Sequence, residues 1–222
     1  RLDIVEYLVA QGADITTCNN YAVQKASKWG HLDVVKYLVF LGADITARDN
    51  YAVRQASREG HLDVVKYLVS LGADVTADDN YAFKWASENG HLETVKYLVT
   101  LGVDITKYGY RALTFASANG HLETFKYLIF QGARVCDEDE DVFQVASING
   151  HLNIIKYIVE HEMDIDIDDI LAYAAEGGHI DIVKYLISKG ADVNANNNLA
   201  IRNAIEYKNI DIYKLLLQYM LF

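Results

Sequence analysis

Residues 60–87 read GHLDVVKYLVSLGADVTADDNYAFKWAS, and residues 30–57 read GHLDVVKYLVFLGADITARDNYAVRQAS. Two stretches this alike at a fixed spacing decide the organisation of the chain before any single motif does. Working outward, Gly-His-Leu recurs at His31, His61, His91, His121 and His151, each 30 residues after the last. Gly-His-Ile follows at His179, and Asn209 takes the same place 30 residues further on. Seven repeats therefore run over 12–41, 42–71, 72–101, 102–131, 132–161, 162–189 and 190–222, preceded by a half repeat, 1–11. A single array over 1–222 accounts for the whole sequence, with no linker, low-complexity segment or composition break to mark a second domain.

Each repeat carries two short helical patterns. In the third, Ala82, Phe83 and Ala86 share one face of a helix over 81–89, with Asn80 at the N-cap and Gly90 where a positive φ is needed. A second helix over 92–101 directs Leu92, Val95, Leu98 and Val99 inward, carries Glu93 in its first turn and ends at Gly102. Helices of about ten residues do not persist alone in water, so each must be held by its neighbours. The spacing predicts an all-α solenoid of stacked helix-turn-helix units.

The segments GHLDVVKYLVSLGAD (60–74) and GHIDIVKYLISKGADVNA (178–195) closely resemble the second helix and following turn of ankyrin repeats. The resemblance extends in register over all seven repeats. The dialect, Asn-Tyr-Ala-Val, Ala-Ser, Gly-His-Leu, Val-Lys-Tyr-Leu-Val, is similar to the ankyrin arrays of giant viruses of amoebae. Common ankyrin units are about 33 residues long and open their first helix with Thr-Pro-Leu-His. Here Tyr51-Ala52-Val53-Arg54 and Tyr81-Ala82-Phe83-Lys84 stand in that place, and about three residues are missing before Tyr51. The resemblance thus implies an ankyrin solenoid whose β-hairpin fingers are shortened or absent. Glu162 replaces the turn glycine, and two further residues are lost before Asp169, so that junction is expected to be the least regular.

Composition narrows the function. The chain of 222 residues contains no proline, which excludes collagen-like sequence and Pro-stiffened linkers. With 20 Lys+Arg against 31 Asp+Glu the net charge is −11, which argues against nucleic acid as partner, because a phosphate backbone needs a basic face. No apolar run approaches the ~20 residues that span a bilayer, so no membrane partner is expected. Cys18 and Cys136, the only cysteines, lie four repeats apart, too far to pair, and point to an intracellular, reducing compartment, the host cytoplasm if the origin is viral.

The repeated histidines invite a metal reading, but equivalent places in successive repeats lie ~10 Å apart, whereas zinc ligands sit ~2 Å from one ion. Each His is expected instead to hydrogen-bond the turn between its helices. Asp164-Ile165-Asp166-Ile167-Asp168-Asp169 opens like a calcium loop, yet Asp169 and Ala175 stand where Gly and Glu belong. No nucleophile elbow, phosphate loop or zinc-protease motif is present. Ser57 and His61 are close in sequence, but the pairing recurs in other repeats, as architecture does and a nucleophile does not. The chain reads as a non-enzyme with no cofactor.

What remains is surface. The positions that vary between repeats are Lys28-Trp29, Arg58-Glu59, Glu88-Asn89, Ala118-Asn119 and Ile148-Asn149, and the ankyrin resemblance places them on the concave, partner-gripping face. Lys36, Lys66, Lys96, Lys126, Lys156 and Lys184 are invariant and fit i,i+3 pairing with acidic residues on a solvated face. Tyr108 and Tyr110 replace polar turn residues, and exposed Trp29 and Tyr side chains are favoured anchors; Trp85 and Phe115 read as core. Asp137, Glu138, Asp139, Glu140 and Asp141, with Glu160, Glu162, Asp164, Asp166, Asp168 and Asp169, form two acidic turns, which stacking would merge into one ridge suited to a basic segment.

The expected function is a protein–protein interaction module using the concave face and the acidic ridge. The alternatives are a structural spacer and the substrate-recruiting part of a ubiquitin-ligase adaptor. The orphan half repeat and the apolar run Leu215–Phe222 imply a fragment of a longer array, with ends open to end-to-end self-association.

Overall fold

The computed structural model describes residues 1–135, 142–161 and 165–220. Fifteen helices occur among them: α1 (Leu2–Ala10), α2 (Thr17–Lys28), α3 (Leu32–Phe40), α4 (Ala47–Arg58), α5 (Leu62–Ser70), α6 (Ala77–Glu88), α7 (Leu92–Thr100), α8 (Ile105–Ala118), α9 (Leu122–Phe130), α10 (Val142–Ile148), α11 (Leu152–Glu160), α12 (Ile167–Gly177), α13 (Ile180–Ser188), α14 (Ala195–Glu206) and α15 (Ile210–Met220). The described residues contain no strand, so the all-α class holds. From α2 onward the even-numbered helix is the first of its repeat and the odd-numbered helix the second. By internal contacts the chain divides into an amino-terminal unit, Arg1–Ala112 with Lys126–Ala133, and a carboxy-terminal unit, Leu113–Phe125 with the chain from Arg134 on.

In the amino-terminal unit, first helices pack on first helices (α2 on α4, α4 on α6) and second helices on second helices (α1 on α3, α3 on α5, α5 on α7). The core comes from the apolar positions of both: Val53, Ala56, Phe83 and Ala86 on one side, Val35, Leu38, Val65, Leu68, Val95 and Leu98 on the other. Leu92 and Val99 are only half-buried, while Thr94 is buried in their stead. Its short side chain fits close to the neighbouring helix, where Val34 and Val64 sit in earlier repeats. The carboxy-terminal unit repeats the scheme, with α10, α12 and α14 as one row and α11, α13 and α15 as the other. Ile154, Ile155, Ile158, Leu171, Ile182 and Val183 fill its core.

The repeats are locked by a glycine and a ring. Gly60 has φ +77, and a Cβ built there would lie 2.4 Å from the His91 Nδ1 of the next repeat. Gly30 faces His61, Gly120 faces His151 and Gly150 faces His179 in the same way. His151 Nε2 donates to the Ala118 carbonyl at 2.8 Å, and His179 Nε2 to the Ile148 carbonyl at 2.7 Å. Asn209 substitutes for the ring, donating to the Ala175 and Glu176 carbonyls at 2.8 and 2.9 Å. These histidines therefore bind the preceding repeat rather than the turn of their own, because the ring reaches across the space that the glycine leaves empty.

The first helices hold the larger departure from expectation. α2, α4, α6 and α14 each open with three consecutive left-handed residues: 18–20, 48–50, 78–80 and 196–198, with φ between 51° and 63°. A left-handed run costs roughly 1–2 kcal/mol per ordinary L-residue. All of these residues except Cys18 and Arg48 are Asn or Asp, the non-glycine types that tolerate this region best. Asn80 does precede the first right-handed residue, but at φ 60 it is the end of a left-handed turn and not an extended N-cap. Its equivalents Asn20 and Asn50 use their Oδ1 to accept the backbone N–H of Asp44 and Asp74 in the next repeat, each at 2.9 Å.

A long polar side chain in the following helix returns to each left-handed turn. Gln24 Nε2 donates to the Asn19 carbonyl at 2.7 Å, Arg54 Nη2 to the Arg48 carbonyl at 2.9 Å, and Arg202 Nη2 to the Asn196 carbonyl at 3.3 Å. Lys84 Nζ instead meets the Asp79 carboxylate at 2.6 Å. Asp14, Asp44 and Asp74 just before these turns, and Asp104 just before α8, each accept from the hydroxyl and N–H of the Thr two residues on. This Asx turn turns the chain where a finger would otherwise project.

Candidate interaction face

The exposed side of α2, α4 and α6 carries residues spaced i, i+4 and i+7, opposite the buried Ala-Val/Phe-Ala face. In the first repeat these are Tyr21, Lys25 and Lys28, and in the third Tyr81, Trp85 and Glu88; in the second Tyr51 is half-buried and Arg58 exposed, while Gln55 between them is buried. Cations lie over the rings: Lys25 Nζ is 4.9 Å from the Tyr21 centroid, Lys28 Nζ 5.4 Å from Trp29, and the Arg58 guanidinium 5.5 Å from Trp85. Tyr81 and Trp85 touch with ring centroids 5.0 Å apart. Lys28 reaches Glu59 of the next repeat at 3.8 Å. The result is a connected band over the first three repeats, built from rings whose positions are fixed by neighbouring charges.

Trp29 is 61% exposed, Arg58 is exposed and Glu59 half-buried, all within this band. Glu88 is half-buried at the place where earlier repeats have Lys28 and Arg58. Asn89 and Asn119 are exposed, but each donates its Nδ2 to the carbonyl four residues back, Trp85 and Phe115, at 2.9 Å. Trp85 is half-buried and Phe115 is 36% exposed, so neither is a core residue. Their position in the helix faces outward, one residue before the buried Ala-Ser pair.

Tyr108 and Tyr110 are half-buried on α8 and not on a turn. The Tyr108 ring lies 5.8 Å from Lys84 Nζ and 4.8 Å from Lys107 Nζ. A hydrogen bond with the Tyr108 hydroxyl raises the Lys107 ammonium above its ordinary pKa. The Lys84 hydrogen bond holds the Asp79 carboxyl below its usual value. Beneath the band, Arg54 is buried, forks between the Asp78 carboxylate and the Arg48 carbonyl, and stacks 5.4 Å from Tyr51.

Of the acidic residues, Asp137, Glu138, Asp139, Glu140, Asp141, Glu162 and Asp164 lie outside the described residues. Asp166 caps α12 by accepting the Asp168 N–H at 2.9 Å. Asp168 accepts the Asp192 N–H at 2.7 Å, and Asp169 accepts from Asn196 Nδ2 at 2.8 Å. All three therefore hold the turns of the carboxy-terminal unit together. The invariant lysines also differ from their expected pairing. Lys96 meets its acidic neighbour, Glu93, at 2.8 Å, whereas Lys36, Lys66 and Lys156 lie 5.5–5.6 Å from the Tyr67, Tyr97 and Tyr185 rings of the next repeat. The Lys-Tyr dipeptide makes this possible, since each repeat offers a cation forward and a ring backward.

No group of three His, Cys, Asp or Glu side chains placed to hold a metal ion occurs among the described residues. No helix among them is long and apolar enough to cross a membrane.

Family models place this architecture. Ankyrin repeats in sets of three copies match residues 51–139 and 143–221, and a second ankyrin-repeat model matches 1–39 and 23–69. The chain belongs to the ankyrin repeat family. Among solved structures it is similar to the human ASB11 ankyrin repeat domain, with a TM-score of 0.71 and 19% identity over 87% of this chain and 96% of that one. At that identity the likeness concerns the fold. No curated protein matches the chain. Ankyrin repeats are generally protein–protein interaction modules, and their fold is typically non-catalytic.

Proposed function

We propose that this chain is a non-catalytic interaction module that grips a partner protein with the exposed, concave side of its first helices, assisted by the acidic turns around Asp137–Asp141 and Asp166–Asp169. The observation that supports this best is the band from Tyr21 to Trp85. Exposed Trp, Tyr and Arg are the residue types that dominate binding energy at interfaces. Here they are already held in place by cation–ring contacts, which lowers the ordering cost of association. The acidic turns would add steering toward a basic segment of the partner and make association salt-sensitive. The likeness of the dialect to giant-virus arrays suggests host cytoplasm as the working compartment.

Affinity capture with the full chain as bait tests this reading. Trp29→Ala combined with Arg58→Ala should weaken capture of the partner at least about tenfold. Charge reversal of Asp137, Glu138, Asp139, Glu140 and Asp141 should have a smaller effect that fades as salt is raised. A partner indifferent to the first pair of substitutions would remove the face from the proposal, and capture of no partner at all would favour a spacer.

A further inference from the structure

We propose that the band of the amino-terminal unit is a docking site for an acidic peptide segment of the partner, with carboxylates met by Lys25, Lys28 and Arg58 and the peptide chain laid against Trp29 and Trp85. This rests on the first-helix face being the partner-binding face and adds the chemistry of what it binds.

The argument starts from which charges are already satisfied. In a chain of net charge −11, cations are expected to find carboxylates readily. The two buried ones do: Arg54 meets Asp78 and Lys84 meets Asp79. On the band itself Lys25 and Arg58 have no carboxylate within ion-pair distance among the described residues; their neighbours are the Tyr21 and Trp85 rings. Lys28 has only the 3.8 Å contact to Glu59. A ring orients a cation without neutralising it, so the solvent side of each stays open to an anion.

Two features set the extent and the class of the occupant. Glu88 stands at the place of Lys28 and Arg58 and reverses the sign in the third repeat, so the run of cations covers the first two repeats. With repeats ~10 Å apart and an extended peptide rising ~3.3 Å per residue, about three residues span one repeat. A segment of six to eight residues, roughly, with its carboxylates at one end, fits this pattern. A nucleic acid fits less well. Its phosphates continue at even spacing and would run on to Glu88 and to Asp49 on the flanking turn, both repulsive.

Trp29 and Trp85 are the only two tryptophans of the chain, so intrinsic fluorescence reads the band directly. The probe is a synthetic peptide of about ten residues alternating Glu and Gly, titrated into the full chain at low salt. The expected result is a saturable change in tryptophan emission. Its apparent Kd should rise about tenfold or more with Arg58→Glu, less with Arg58→Gln, and progressively with added salt. Glu88→Gln should leave it unchanged or tighten it. Far-ultraviolet circular dichroism confirms that each variant is folded, and these side chains lie outside the core.

The proposal is overturned by no saturable response at low salt, by a response that Arg58→Glu leaves intact, or by an equal response to a Lys-Gly peptide or a single-stranded oligonucleotide. If the acidic peptide fails while Trp29→Ala still abolishes partner capture, the face stands and its chemistry is wrong. If both fail, the wider reading falls with it.

Discussion

The first helices of the third and fourth repeats occupy the same register and begin with opposite hands. α6 opens through Asp78, Asp79 and Asn80 at φ 53, 57 and 60, whereas no residue of α8, including Tyr108, Gly109 and Tyr110, has a positive φ. The difference follows from the side chains. Asp and Asn accept the left-handed region at small cost, while a Tyr on either side of a single glycine would not. The polar arm agrees: Lys84 reaches back to the Asp79 carboxylate in α6, and the equivalent residue in α8 is the short Thr114. Once α8 is right-handed, Gly109 has a different purpose. A Cβ there would sit 2.8 Å from Ile105 Cγ2 and 3.0 Å from Ala133 Cβ, so the glycine provides close packing and not turn freedom. Handedness in this fold is thus set by three turn residues and one arm, and a repeat lacking both adopts the ordinary helix.

The contrast can be broken most forcefully at Asn50. Asn50→Val places a β-branched residue at φ 58 and removes the acceptor of the Asp74 N–H, and should cost about 3 kcal/mol. Tyr110→Val, at the matching place on α8, carries no such backbone term, so denaturant midpoints of the two variants should differ clearly. Asn50→Gly should recover the backbone part of the loss. Next comes the arm: Arg54→Met keeps the buried stem but strands the Arg48 carbonyl and the Asp78 carboxylate, for about 2 kcal/mol. A loss under half of that would mean the turn holds itself.

Lys208 sharpens the comparison from the other side. It is left-handed at φ 60 where the other repeats have glycine before the His or Asn, so Lys208→Gly should stabilise by about 1 kcal/mol, read as a rise in Tm. The smallest effect is common to both hands. Hydrogen bonds from the Thr46 and Thr106 hydroxyls hold the Asp44 and Asp104 carboxyls below their usual pKa. A carboxyl lowered on folding adds stability above its unfolded pKa and loses it as pH falls through the folded one, so this contribution should fade below about pH 4. Thr46→Val and Thr106→Val should flatten the acid limb of a stability–pH curve alike in the left-handed and right-handed repeats; a difference between them would tie the Asx turn to handedness.

Much of this was legible in the sequence. The period, the buried faces around Val95 and Leu98 and the turns at Gly90 and Gly102 follow from local spacing, which the tertiary structure has no reason to override. The left-handed turns were not legible in the same way, because Asn80 ahead of a helix satisfies every local rule for an N-cap. What holds it left-handed lies four residues on, at the Lys84 arm, and in the next repeat, where its equivalents bind a backbone N–H. A readable signal does exist: two or three successive Asn or Asp residues followed by a long polar residue, together in α2, α4, α6 and α14 and absent together in α8. On the candidate face, Trp29 and Arg58 stood out because they vary between repeats. Lys25 and Tyr21 do not stand out, since their place in the band depends on which side of α2 faces solvent. For Trp85, an aromatic beside Ala-Ser reads as core until that side is known.

The socket made by a glycine and the ring of the following repeat has a consequence for how such arrays change in length. The cavity belongs to one repeat and the part that fills it to the next, and four pairs, Gly30–His61, Gly60–His91, Gly120–His151 and Gly150–His179, are interchangeable copies of the same joint. Duplicating or deleting any whole block of 30 residues therefore joins a standard socket to a standard plug, whichever repeats are brought together. Point substitution is far less free: Gly60→Ala would drive a methyl group into the His91 ring. Arrays of this kind should accordingly evolve by recombination in whole-repeat steps, with the joint held constant and the band on the solvent side of the first helices left to diverge.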